Sequence, residues 1–285
     1  MTQPYVLGAV AYDPKVVTIW EGFKAFFGRQ GLPFDYVLYS NYEAQVEAHL
    51  AGHLDVAWNS PLAWVRTRRA GLAAGREARA IAMRDTDRDL TSVWMVRADS
   101  PVQAVADLRG RTLGVGAIDS PQATLLPLSH LRAAGLDPLR DAQVRRFDVL
   151  AGKHGDHIGG ERDAVRALLA GEVDAAAIID GNMLAFSREG LLTPGATRVV
   201  SQTLPYDHCC FTSFAPADDA RERRFVELLL GLRYEDPEVR PLLDLEGLKA
   251  WLPGRTAGYD ALERAVTEAA FYDASGAIRE PAYVY

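Results

Sequence analysis

The chain has 285 residues, which is enough for two domains, and 48% hydrophobic with 24% charged residues is typical of a globular protein with full cores. A formal net charge of −7 argues against a general nucleic-acid-binding protein, which needs a basic surface, but it does not exclude an anionic ligand in a closed site. No stretch reaches the ~18 apolar residues that span a bilayer, so we expect no membrane segment.

Predicted strands and helices alternate through residue 202. The strands are predicted at 5–9, 34–39, 55–58, 79–83, 92–96, 112–115, 144–147, 175–180 and 198–202. The helices are predicted at 16–27, 42–51, 62–70, 123–134, 162–170 and 183–188, and then at 221–232, 245–251 and 259–270. This alternation predicts an α/β fold with mostly parallel sheets. We expect the residues near Pro281 to form a loosely held tail.

One sequence pattern occurs twice, as VEAHLAGHLDVA at 46–57 and as VRALLAGEVDAA at 165–176. Each copy predicts the last turns of a helix, a glycine in the left-handed conformation and a buried strand. Polar residues follow each strand, Asn59-Ser60 in the first copy and Asp180-Gly181-Asn182 in the second. Ligands of open α/β sheets bind outside the carboxyl ends of the strands, so the repeat predicts two lobes that face each other across a cleft.

The predicted domain organisation is a discontinuous first lobe, 1–97 and 203–285, with a second lobe, 98–202, inserted into it. The chain then crosses twice between the lobes. Two crossings form a hinge, and closure around a ligand is a common motion of such proteins.

The sequence resembles the type 2 periplasmic-binding-protein superfamily, and within it the phosphate/phosphite/phosphonate-binding proteins of ABC importers. The resemblance depends on residues 50–61 (LAGHLDVAWNSP), 107–111 (DLRGR), Ser120 at a helix start and 152–154 (GKH). It implies a two-lobed fold with a hinge and an interlobe cleft, a small anionic phosphate- or phosphonate-like ligand, and an ABC permease as partner if the protein is exported. It implies no cofactor and no metal.

Two features depart from the family pattern. The usual Ser-x-Ser-Gly turn is replaced by Asp119-Ser120-Pro121-Gln122, and Met1-Thr2-Gln3-Pro4 does not begin an export signal. The protein is therefore expected in the cytoplasm as the sequence is written, or in the periplasm if a leader has been trimmed.

Ser60 and Ser120 are the first ligand-binding candidates. Each precedes a proline that begins a predicted helix, and a helix N-terminus attracts phosphate or carboxylate. Gln122 and Thr124 would add an amide and a hydroxyl. The alternative is that both serines are ordinary helix caps.

Four further residues are expected to contact the ligand. Asn59 precedes Ser60, Asp180 ends the repeated strand, and His208 lies where the chain returns to the first lobe. Tyr12 follows the first strand, where the resemblance implies a residue that borders the ligand. The alternative is helix capping for Asn59 and Asp180, packing for His208 and surface exposure for Tyr12.

The most unusual segment is 152–163, which contains His154 and His157 among four glycines and three acidic residues. Its glycines allow the backbone to approach a ligand closely. We expect His154 to bind the ligand. Metal binding, acid–base chemistry and a solvated loop remain alternatives.

The alternative function is a cytosolic enzyme of small-molecule biosynthesis on the same fold. His154, His157, Asp180, His208 and Cys209 would then act as acids, bases or a nucleophile. Cys209 and Cys210 are adjacent, so in a strand only one of the two thiols faces the cleft. Two small buried side chains are the other interpretation of this pair.

Overall fold

The structure, a computed structural model, describes residues 3–216 and 219–285. Its strands are β1 (Tyr5–Val10), β2 (Phe34–Tyr39), β3 (Val56–Asn59), β4 (Arg79–Arg84), β5 (Ser92–Arg97), β6 (Thr112–Val115), β7 (Gln143–Arg146), β8 (Ala175–Ile179), β9 (Thr197–Gln202), β10 (Cys210–Ser213) and β11 (Trp251–Pro253). They form a six-stranded sheet in the order β11-β4-β10-β3-β1-β2 and a five-stranded sheet in the order β7-β6-β8-β5-β9.

Helices cover both sheets. They are α1 (Lys15–Arg29), α2 (Tyr42–Leu50), α3 (Pro61–Ala73), α4 (Leu126–Ala133), α5 (Pro138–Asp141), α6 (Ile158–Leu169), α7 (Gly181–Arg188), α8 (Ala220–Leu230), α9 (Arg240–Glu246) and α10 (Asp260–Glu268). A π-helical turn, Pro121–Leu125, leads into α4. In α1 the buried residues Val16, Ile19, Trp20, Phe23 and Phe27 follow helical spacing and face the core of the first sheet. Among the described residues, no helix is both long and apolar enough to cross a membrane.

Both sheets are mixed, so the prediction of mostly parallel sheets was wrong. β10 runs antiparallel to β3 and β4, and β5 runs antiparallel to β8 and β9. The sequence prediction did not include β10 or β11. It also extended one helix over 245–251, but α9 ends at Glu246 because Gly247 has a φ of 77° and terminates it.

The repeated pattern forms equivalent structures in the two sheets. Gly52 and Gly171 both have positive φ, 77° and 74°, as predicted, and they end α2 and the helix α6. The aspartate of each copy then caps the neighbouring strand, since Asp55 Oδ2 accepts from Val6 N and Asp174 Oδ2 accepts from Thr112 N, both at 2.8 Å. The repeat therefore joins a helix end to two adjacent parallel strands.

The sheets differ from the predicted lobes at one boundary. We placed residues 92–97 in the first lobe, but β5 lies in the five-stranded sheet between β8 and β9. The chain thus leaves the first sheet before Ser92 and returns after Gln202. β5 pairs antiparallel with β8, which is more than 70 positions away in the sequence, so the local pattern of β5 could not indicate this pairing. The division into two lobes remains our proposal.

The carboxyl-terminal segment is not the loose tail that we predicted. Tyr283 is buried, and its ring lies 4.9 Å from the ring of Phe271. The same apolar cluster includes Leu125 and Leu126 from the start of α4. The end of the chain therefore packs where the two sheets meet.

Candidate functional site

The loop at 150–157, here called the crossing loop, connects β7 to α6 and reaches the first sheet. The backbone N–H of Tyr42, at the start of α2, donates to Gly152 O at 3.0 Å. Lys153 Nζ donates to the backbone oxygens of Ala11 and Ser40 at the ends of β1 and β2. The crossing loop therefore holds the two sheets together at the carboxyl ends of the first-sheet strands.

His154 inserts its side chain into a polar socket on the first sheet's helices. Its Nδ1 lies 2.7 Å from Ser60 Oγ, and its Nε2 lies 3.3 Å from Glu43 Oε1 and 3.2 Å from Tyr283 Oη. The ring stacks on Tyr42 at 4.9 Å with an interplanar angle of 15°. His154 and Ser60 are both 0% exposed, so a ligand reaches this position only when the sheets move apart.

The Glu43 carboxylate only accepts, so it accepts from the Nε2–H of His154. The Ser60 hydroxyl is the hydrogen-bond partner of Nδ1. Ser60 Oγ in turn accepts from Ala63 N at 3.2 Å and caps α3. Burial raises the pKa of Glu43, but His154 and Arg66 outweigh it, and the pKa lies below its ordinary value.

Asp119 organises the crossing loop from the second sheet's side. Its Oδ2 accepts from Gly152 N at 2.8 Å and from His154 N at 3.3 Å, and its Oδ1 lies 3.1 Å from His157 Nε2. Burial raises the pKa of Asp119, but contact with His157 lowers it to a net value below the usual range. His157 Nδ1 is buried and has no hydrogen-bond partner among the described residues.

Gln122 and Glu161 line the same junction. Gln122 Nε2 donates to Gly155 O at 2.9 Å and to Glu161 Oε1 at 3.3 Å, whereas its Oε1 is buried without a partner within residues 3–216 and 219–285. Glu161 Oε2 accepts from Ile179 N at 2.9 Å and from Asn182 Nδ2 at 2.8 Å. Burial raises the pKa of Glu161 despite these hydrogen bonds.

His208 meets the crossing loop from the first sheet. A Cβ on Gly155 would lie 2.4 Å from His208 Nε2, so only glycine fits between the lobes here. On its other side, His208 Nδ1 lies 3.2 Å from Cys209 Sγ and 3.5 Å from Asp87 Oδ1. The Tyr259 hydroxyl donates to His208 O at 2.7 Å and fixes the backbone.

Of the predicted ligand-binding residues, the structure brings Ser60, His154, Ser120, Gln122 and His208 to this junction. Ser60 and His154 touch, Gln122 and His208 both approach Gly155, and Ser120 begins the turn that carries Gln122. His157 joins them through Asp119.

The other predicted residues have separate partners. Asn59 accepts from Gln45 Nε2 at 2.8 Å and donates to Thr67 Oγ1 at 3.2 Å, inside the first sheet's own helices. Thr124 donates to Ala117 O at 2.7 Å.

Asp180 and Tyr12 also have other partners. Asp180 Oδ2 accepts from Thr91 Oγ1 at 2.5 Å, next to the chain crossing. Tyr12 packs against the first sheet's core, with Lys15 Nζ 5.7 Å from its ring centre.

Sequence reasoning missed Glu43, Asp119 and Tyr283 as members of the site. Glu43 is an acidic residue in the first turn of α2, which is an ordinary surface pattern. Asp119 had been noted only as a departure from the family turn. Asp119 precedes the two histidines that it contacts by 35 and 38 positions, so no local signal in the sequence identified it.

Comparisons with known proteins identify the family and support the fold. The family described as "ABC transporter, phosphonate, periplasmic substrate-binding protein" matches residues 9–259. PhnD1 from Prochlorococcus marinus in complex with methylphosphonate has 17% identity and a TM-score of 0.67 over 93% of this chain and 98% of that chain. A Xanthomonas citri protein bound to ATP has 18% identity and a TM-score of 0.70 over 94% of this chain and 98% of that one.

The periplasmic aliphatic sulphonate binding protein SsuA from Escherichia coli is a further structural relative. It has 17% identity and a TM-score of 0.57 over 100% of this chain and 94% of that chain. At these identities the structural similarities show the fold alone, and the family match shows the membership. They confirm the predicted type 2 binding-protein fold and the predicted class of function, a receptor for a small anionic ligand. The chain belongs to the phosphonate-binding family of periplasmic substrate-binding proteins of ABC transporters.

Proposed function

We propose that the chain binds a small phosphonate-like anion at the junction of its two sheets, between the crossing loop and the turn that follows Ser120. The observation that supports this most directly is His157, which is buried with one nitrogen on Asp119 and the other without a partner among the described residues. A buried polar atom of this kind calls for a further partner, which a bound ligand can supply.

The His157 imidazole is suited to an anion. Asp119 accepts from Nε2. When both ring nitrogens carry a proton, Nδ1 donates to a phosphonate oxygen. The turn beginning after Ser120 adds the positive end of a helix dipole.

Acceptors dominate the other side of the junction. Gln122 Oε1 is buried without a partner among the described residues, and the Glu161 carboxylate, which accepts from Gln122 Nε2, lies beside it. A ligand that complements these groups carries a hydrogen-bond donor, such as an ammonium or hydroxyl group, as well as its anion. An aminoalkylphosphonate has both features.

Closure of the lobes completes the proposed site. His154 enters its socket and His208 meets Gly155 only when the lobes are together, and this excludes water from the ligand. We propose that the closed, ligand-bound form delivers its ligand to an ABC permease in the periplasm, which is the setting that the family description gives.

The test is isothermal titration calorimetry of tag-free protein with methylphosphonate, 2-aminoethylphosphonate, inorganic phosphate and methanesulfonate. We expect a phosphonate to bind, and His157→Gln to weaken it by about 10- to 100-fold, because a hydrogen bond to a charged group contributes about 1.5–3 kcal/mol. Ser120→Ala should also reduce affinity, with a loss of about 1 kcal/mol of stability because Ser120 Oγ caps the helix at Ala123 N.

His130→Gln is the matched control. His130 contacts Ser201 Oγ at 2.7 Å outside the junction, so this variant should keep the wild-type affinity. Failure of every phosphonate to bind at millimolar concentration, or equal affinity of wild type and His157→Gln, would overturn the proposal.

A further inference from the structure

Asp87, His208 and Cys209 form a buried cluster that anion binding does not use. Their ligand-forming atoms, a carboxylate oxygen, an imidazole nitrogen and a thiol sulfur, all lie within 4.8 Å of one another. We propose that this cluster binds a single thiophilic divalent metal ion, with Zn²⁺ as the best fit.

The spacing matches a tetrahedral zinc site. His208 Nδ1 lies 3.2 Å from Cys209 Sγ and 3.5 Å from Asp87 Oδ1. Bonds of about 2.0–2.3 Å at tetrahedral angles separate such ligand pairs by roughly 3.4–3.6 Å. Nitrogen, thiolate and carboxylate are all ligands that Zn²⁺ accepts, and three protein ligands leave a fourth position for water.

Backbone contacts hold the three residues in place. Asp87 ends the 3₁₀ turn that follows β4, and its carbonyl accepts from His208 N at 2.8 Å. Cys209 is buried immediately before β10, which is paired on both sides in the six-stranded sheet.

Arg84 orients the carboxylate. Its Nε donates to Asp87 Oδ2 at 2.6 Å and its Nη2 to Oδ1 at 2.9 Å, so Oδ1 faces His208. Metal-binding carboxylates commonly have such an outer partner. Arg84 also pairs with Glu246, so one guanidinium serves two carboxylates. Arg84, Asp87 and Glu246 together carry one net negative charge. A divalent ion bound to a thiolate adds one net positive charge, which neutralises it.

The metal would also define the face that His208 presents to the other lobe. Nδ1 must be unprotonated to bind it, so Nε2 carries the proton, and metal-bound histidines usually donate this proton to an outer acceptor. His208 Nε2 and Gln122 Oε1, which has no partner in the described part of the chain, both lie close to Gly155. A metal bound to Nδ1 therefore makes His208 Nε2 a hydrogen-bond donor on the first lobe, and Gln122 Oε1 is an acceptor on the second.

The experiment measures metal in tag-free protein. After removal of metal with a chelator and dialysis against Zn²⁺, we expect about one zinc per chain by inductively coupled plasma mass spectrometry. Cobalt substitution should give a thiolate-to-cobalt charge-transfer band in the near ultraviolet. Cys209→Ser should lose that band and at least 10-fold in zinc affinity.

Cys210→Ser is the matched control, because Cys210 is equally buried and lies 3.6 Å from Thr212 Oγ1 rather than in the cluster. It should keep both zinc and the cobalt band. The proposal is overturned if wild-type protein retains no zinc, or if its cobalt form lacks the thiolate band. The cobalt spectrum of the wild-type protein needs no variant, so this test remains valid even if Cys209→Ser does not fold.

Discussion

Ser60 Oγ and His154 Nδ1 are 2.7 Å apart, although the two residues are separated by 94 positions and belong to opposite sides of the junction. Ser60 caps α3 on the first sheet, and His154 is carried by the crossing loop from the second sheet. The serine was predicted as a ligand contact on its own lobe. In the structure it contacts His154, a side chain carried from the other sheet.

Removal of His154 should loosen this contact. In His154→Ala, Ser60 and Glu43 lose a buried partner, and we expect the free energy of unfolding to fall by about 3 kcal/mol from lost hydrogen bonds and a new cavity. Small-angle X-ray scattering should show a larger radius of gyration without ligand. His130→Ala, which alters a half-buried histidine elsewhere, should leave the radius unchanged. Identical scattering curves for wild type and His154→Ala would contradict the prediction.

Gly155→Ala should obstruct closure. The added Cβ would lie 2.4 Å from His208 Nε2, which is too close for two non-bonded atoms. We expect ligand affinity to fall at least 10-fold with little change in the fold of either lobe. Gly181→Ala is the control, because a Cβ there meets no atom within 4 Å, and its titration curve should match the wild type. The steric argument fails if both variants bind equally well.

The raised pKa of Glu161 predicts a pH dependence of stability. Burial raises its pKa in the folded chain above the ordinary 4.5. Between 4.5 and the raised value the folded state keeps a proton that the unfolded state has released, so stability falls as pH rises through this window. Urea unfolding from pH 4 to 8 should show wild type losing stability relative to Glu161→Gln. The prediction is contradicted if the difference in free energy of unfolding between wild type and Glu161→Gln stays constant, or if it grows in favour of wild type, as the pH rises.

The two strand-capping aspartates should contribute independently. Asp55→Ala and Asp174→Ala each remove an acceptor from the first N–H of a neighbouring strand, and we expect each to cost about 1 kcal/mol. The residues lie in different sheets and share no partner, so the double variant should lose the sum. Chemical unfolding of the three variants tests this, with Asp→Asn at each position as a milder change. Strong non-additivity would show that the sheets are coupled through these caps.

The features that the sequence predicted well are local. The glycine of each repeat depends on a helix end and the strand that follows it, so its role appears in a window of twelve residues. The role of each aspartate was not predicted, because the strand that it caps lies 49 or 62 positions away. The serine–proline helix starts at Ser60 and Ser120 are local for the same reason, and both caps are confirmed.

The features that were missed depend on distant contacts. β10 is four residues long and pairs with β3 and β4, which precede it by more than a hundred positions, so its own composition does not identify it. Glu43 resembles an ordinary first-turn acid until His154 is placed against it. Tyr283 resembles a tail residue until the chain folds back onto Phe271.

The position of β10 has a consequence for synthesis. It lies between β3 and β4 in the six-stranded sheet, yet in the chain it follows every strand of the five-stranded sheet. On the ribosome, residues 92–202 therefore emerge complete while β3 and β4 still have unpaired edges towards each other. We expect the inserted unit to fold first, and nascent chains that stop short of residue 213 to be prone to aggregation.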